Sequence, residues 1–142
     1  MWSKIVCLLL GLVLSSTVLA ADGLIEFSDL DVALQLKMGQ LLSHNICVCH
    51  DKACSQRTFA PFEQWIIYQS RVKIPNDLAA KIRAYEYAQQ MQDDIISGMT
   101  CFFKVNGLKG QALQQALPKT YDYQKAIAGL KAQLNLKLMG TS

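Results

Sequence analysis

The sequence predicts an all-α fold: a small bundle of about four main helices stapled by two disulfides. Apolar residues recur at three- and four-residue spacing through four long stretches. Prolines and an Asn-Gly pair fall between those stretches as breaks. An even set of four cysteines remains once an N-terminal leader is set aside.

The leader comes first in the chain. Lys4 gives a positive start, residues 5–14 are apolar apart from Gly11, and Val18-Leu19-Ala20 supplies small or modest residues. This is the three-part pattern of a secretory signal peptide, with cleavage expected after Ala20. The apolar run is too short to cross about 30 Å of hydrocarbon. No cysteine stands at the cut, so a lipid-modified terminus is not expected. Residues 21–142 then read as a single helical domain, long enough to bury a core. No internal repeat or low-complexity tract divides it.

Ser28 reads as the cap of the first helix, with Asp29 and Asp31 in the first turn. Leu30, Leu34, Met38, Leu41 and Leu42 recur at helical spacing to about His44 and are the expected buried stripe. A second helix is expected from Phe59, with Pro61 in its first turn, Phe62, Trp65, Ile66, Gln69 and Val72 inward, and an end before Pro75. Asn76 is the expected cap of the third helix. Leu78, Ile82, Tyr85, Gln92, Ile95 and Met99 form its stripe, extended by Phe102 and Phe103 to a left-handed stop at Asn106-Gly107. A strand over residues 99–105 is the rival, but no partner strand follows. A short helix near residues 111–117 stops at Pro118. Thr120 is the expected cap of the last helix, where Tyr123, Ile127, Leu130, Leu134 and Leu138 repeat.

The densest chemistry is Cys47-Val48-Cys49-His50-Asp51-Lys52-Ala53-Cys54, three cysteines and a histidine in eight residues. Cys7 leaves with the leader, and Cys101 completes the four. In an oxidising compartment four thiols pair. A bridge between Cys47 and Cys49 would close a small strained ring, so each takes another partner. That leaves Cys49–Cys54 with Cys47–Cys101, or Cys47–Cys54 with Cys49–Cys101. The cluster is expected on the loop after the first helix, with one bridge within the loop and the other to the third helix.

The same residues offer an alternative, a copper or zinc site built from Cys47, Cys49, His50 and Cys54. Zinc sites, however, present two separated ligand pairs, and only one cluster exists here. The methionines form no copper-binding run, and Met38, Met91 and Met99 fall on the expected stripes. Covalent haem needs Cys-x-x-Cys-His, one residue longer than Cys47-Val48-Cys49-His50. A thiol-redox centre lacks both Cys-x-x-Cys and a βαβ setting. No cofactor is therefore the leading expectation.

Other constellations are weak. Asp93 and Asp94 are adjacent and point apart on a helix, while Glu26, Asp29 and Asp31 could gather for acid–base work. No Ser-His-Asp set, phosphate loop or zinc-protease motif appears, so nothing marks an enzyme. Net charge is +3, or about +2 after Lys4 is removed, and the charges are scattered. That excludes the concentrated basic face of a nucleic-acid binder. The sequence leads to an exported protein, periplasmic or secreted, that binds a macromolecular partner. An inhibitor, immunity factor, adaptor or secretion accessory would fit. Lys52, Gln56 and Arg57 are the expected contacts, since loops held by a scaffold often carry function.

Overall fold

The computed structural model describes residues 23–140; the expected signal segment, residues 1–20, lies outside them. Five helices follow one another: α1 (Asp29–Cys47), α2 (Lys52–Ser70), α3 (Leu78–Val105), α4 (Gly110–Ala116) and α5 (Tyr123–Gly140). Among the described residues there is no strand, only one isolated parallel bridge between Ile25 and Val72. The all-α, disulfide-stapled bundle is what forms.

Four of the five helices start at a side-chain cap; α4, which follows Lys109, does not. Ser28 Oγ accepts from the Asp31 amide at 3.4 Å and caps α1. Asp51 caps α2 by accepting from the Cys54 amide at 2.8 Å. That moves the start of α2 seven residues ahead of Phe59, so Pro61 lies inside the helix rather than in its first turn. Asp77, not Asn76, caps α3 through the Ala80 amide. At α5 the Asp122 carboxylate accepts from the Lys125 amide, the role expected of Thr120. Aspartate accepts in all three places because its carboxylate also answers the positive end of the helix dipole.

The stop at Gly107 is as expected. Gly107 has φ +96°, its amide donates to the Lys104 carbonyl, and the Leu108 amide donates to the Phe103 carbonyl. These two bonds make a Schellman motif, which needs a left-handed residue and so favours glycine.

The 28 residues of α3 form the axis of the molecule. Arg83 meets Asp29, and Cys101 meets Cys47; both pairs are separated by 54 residues, so α1 and α3 run parallel in constant register. α2 runs antiparallel to both, as the Trp65–Gln35 and Phe59–Phe102 contacts require. α5 runs antiparallel to α3: Gln92 meets Tyr121 just ahead of α5, and the earlier Glu86 meets Lys131 further along it.

The main core joins α1, α2, the C-terminal half of α3 and Leu113 of α4. Phe62, Ile46, Met99 and Phe103 are fully enclosed there. Two glycines let the helices approach. A Cβ at Gly39 would strike the Trp65 indole, and one at Gly98 would stand 2.6 Å from the Phe62 ring. A second, smaller cluster of Ile82, Ile127 and Leu130 holds α5 to the N-terminal half of α3.

Helix α1 buries a different face from the expected one. Val32, Leu36, Gly39, Ser43 and Ile46 point inward. Leu30, Leu34, Met38 and Leu41 are 75%, 57%, 48% and 59% exposed, and Leu42 is only half-buried. Apolar residues lie on two sides of this helix, and side-chain size decides between them. Only the face carrying Gly39 and Ser43 has room for Trp65, whose indole N–H donates to the Gln35 carbonyl at 2.9 Å. Met91 and Met99 are core residues as expected, and Met38 is not.

Candidate functional site

The cysteine cluster is a tight helix–turn–helix junction rather than a loop. Cys47 is the last residue of α1, Cys54 lies in the first turn of α2, and only residues 48–51 separate the helices. Cys47 pairs with Cys101 and Cys49 with Cys54, at Cα separations of 5.0 and 5.5 Å. Both distances fall within the range that disulfides favour. The first bridge joins the end of α1 to α3, and the second closes the turn onto α2. Caps hold the same residues from both sides: the Val48 amide donates to the His44 carbonyl, and the Asp51 carboxylate accepts from the Cys54 amide.

A third tie lies beneath the turn. Ser55 is fully buried, and its hydroxyl donates to the Lys52 carbonyl while accepting from Asn106 Nδ2 at 3.2 Å. Asn106 therefore stops α3 and also pins the start of α2 to it.

This arrangement consumes the alternative metal set. With Cys47, Cys49 and Cys54 in disulfides, no thiolate is left beside His50, and no group of three or more His, Cys, Asp or Glu side chains gathers among the described residues. In this arrangement the three sulfurs are bound to other sulfurs and are not available as thiolate ligands. His44 and His50 are both exposed.

The acidic residues are equally dispersed. Glu26 faces Lys73 at 4.0 Å, Asp29 pairs with Arg83 at 3.0 Å, and Asp31 accepts from the Tyr68 hydroxyl at 2.9 Å. No two of them share a site. The bond to Asp31 is also the chief reason that the Tyr68 phenol is raised above its ordinary value, with burial second. Asp94 is raised by burial, with the charge of neighbouring Asp93 adding to it. Its Oδ2 is enclosed without a hydrogen-bond partner.

The expected contact residues Lys52, Gln56 and Arg57 lie in the first two turns of α2 and are all exposed. Lys52 and Gln56 are four residues apart and share a side; Arg57 is turned about 100° from Gln56. They form an edge on a doubly stapled junction.

The α1 stripe was not expected at the surface. Leu30, Leu34, Met38 and Leu41 follow one another at four, four and three residues, the repeat of one helix face. The row points toward Val48, itself exposed in the stapled turn. Lys37 and His44 stand among the exposed residues of α1, with no exposed acid between Leu30 and Val48 among the described residues. The available signal was the pair of small residues at Gly39 and Ser43, which mark the face of closest approach. No family model, curated protein or solved structure matches the chain.

Proposed function

We propose that this is an exported helical protein, periplasmic or secreted, that acts by binding another protein through the apolar face of α1. An inhibitor, immunity, adaptor or secretion-accessory role would use such a surface. The observation that carries the reading is the row Leu30, Leu34, Met38 and Leu41, aligned along α1 and about half or more exposed. Scattered surface leucines need no explanation, but an aligned row on one helix does. The two disulfides support export, because such bonds persist in oxidising compartments. No helix among the described residues is long and apolar enough to cross a membrane.

The chemistry of the surface indicates the partner's. An amphipathic helix or apolar groove would match the row, and an acidic margin would match Lys37 and His44. Covering four half-exposed side chains contributes on the order of 4 kcal/mol, no more than the low end of the cost of association. The interface must therefore extend beyond the row. Lys52, Gln56 and Arg57, beyond Val48, offer it a basic and polar rim.

A photocrosslinker at Leu34, compared with one at Gln133 on α5, tests the reading in the exporting cell. The expected product is one discrete heterologous adduct from Leu34 alone. Its identified partner, purified, should bind at least about tenfold more weakly to a Leu34→Ser/Met38→Ser variant of unchanged melting temperature. Alanine at Lys52, Gln56 and Arg57 together should weaken it further. An adduct of twice the monomer mass, or an affinity indifferent to both variants, overturns the proposal.

A further inference from the structure

A cavity of about 440 Å³ opens where the end of α2, residues 72–74, residues 84–96 of α3 and the α4–α5 connection converge. Its volume is in the range of small-molecule sites. Apolar side chains make most of the wall, among them Phe27, Ile66, Met91 and Ile95. Lys73 and Lys119 reach its lining from different segments, and no aspartate or glutamate does among the described residues. The row on α1 takes no part in it.

We infer that this cavity binds a free amphiphile with a single anionic head and an aliphatic tail of medium length, a fatty carboxylate in chemical class. The charge pattern selects the head. Two cations with no lining acid favour an anion and disfavour a cation, while the apolar wall excludes a small hydrated ion. Lys73 can turn to such a ligand. Its contact with Glu26 is 4.0 Å long, and the two side chains are 50% and 86% exposed, so that pair is weak. Tyr123 also lines the site, and burial raises its phenol, which keeps the hydroxyl a neutral donor.

Volume selects the tail. At ~30 Å³ per methylene, the share of one liquid water, the cavity holds roughly fifteen such groups, room for a dodecyl chain and its head. The walls are held ready for it. The Gln92 side chain donates to the Tyr121 carbonyl and accepts from the Tyr121 amide, tying the α4–α5 connection across α3. The Ile25 amide donates to the Arg71 carbonyl and the Lys73 amide to the Ile25 carbonyl, fixing the connector that carries Lys73.

Calorimetric titration of the disulfide-intact protein with dodecanoate tests the inference, with dodecyltrimethylammonium and dodecanol as charge controls. Saturable one-to-one binding of dodecanoate is expected, at least about tenfold tighter than either control. A Lys73→Gln/Lys119→Gln variant should lose about tenfold for dodecanoate and nothing for dodecanol. Ala88→Trp, which fills the lining, should abolish binding while the circular dichroism spectrum is retained. The Leu34→Ser/Met38→Ser variant should bind dodecanoate as the parent does, which separates this site from the surface on α1. Absence of saturable binding, equal binding of all three amphiphiles, or dodecanoate affinity indifferent to Ala88→Trp overturns the assignment.

Discussion

Around the Cys47–Cys101 bridge, three helices share a core of Phe62, Trp65, Met99, Phe102 and Phe103, closed at two glycines where rings meet backbone. Around Ile127, two helices share a small seam of buried Ile82, Ile127 and Leu130, flanked by half-buried Leu78, Tyr85, Tyr123 and Leu134, with an exposed ion pair between Lys131 and Glu86. Both regions are built on α3, and both are helical throughout. They differ in what opposes chain entropy. The first region combines aromatic burial with two covalent closures and a buried Ser55–Asn106 bond. The second relies on a short aliphatic seam, and an exposed ion pair adds little to it. Helix content thus says nothing about where the molecule resists unfolding. Covalent closure and buried area do.

The largest effect should come from opening the long bridge. Cys47 and Cys101 close a 54-residue span, so Cys47→Ala/Cys101→Ala should lower unfolding free energy by about 4 kcal/mol in the chain-entropy model. Cys49→Ala/Cys54→Ala opens a much shorter span and should cost about 2 kcal/mol. Urea denaturation of the two variants measures the difference. Equal losses would mean that loop length does not set what each bridge contributes to the stapled end.

Ile127→Ala probes the other region. Truncating this buried side chain should weaken the seam by about 2–3 kcal/mol. Because α5 packs chiefly on α3 among the described residues, the response should be local. Amides of residues 127–134 should exchange faster with deuterium, while those of α1 and α2 keep the parent's protection. Uniform acceleration along the chain would break the comparison and make the two regions one cooperative unit.

How much of this was legible depended on which residues carried the signal. Asn106-Gly107 announced its own geometry, because only a left-handed residue completes that stop. The pairing of Cys47 with Cys101 was one of two possibilities, and sequence spacing had no means to choose. The register of α1 on α3 chose, by bringing Cys47 rather than Cys49 alongside Cys101. Leucine count alone points to the wrong face of α1. Trp65 needed Gly39 beneath it, and that contact spans 26 residues of sequence. The cavity was invisible for the same reason: its walls come from segments scattered along much of the chain. Ligand types alone left the sulfurs open to a metal or to one another, and the folded positions place them in two pairs.

The smallest effect lies where the two regions meet. Asp94 stands on α3 between Met91 and Gly98 of the main core, and its Oδ2 is enclosed and unpaired. Burial first, and the Asp93 charge second, raise its folded pKa above the ordinary 3.8. The folded state therefore holds this proton more tightly than the unfolded chain does. Its favourable share of stability is complete below the unfolded value and is lost as pH rises through the folded one. Asp94→Asn removes that titration. Melting of the variant and the parent should nearly coincide at about pH 3, with the variant higher at pH 7 and the gap opening between. A gap of the same size at both values would assign the effect to side-chain packing. A parent more stable at pH 7 would mean that the Asp94 carboxylate has a cation partner in solution, and that the middle of α3 belongs to the electrostatics of one region rather than to the boundary between two.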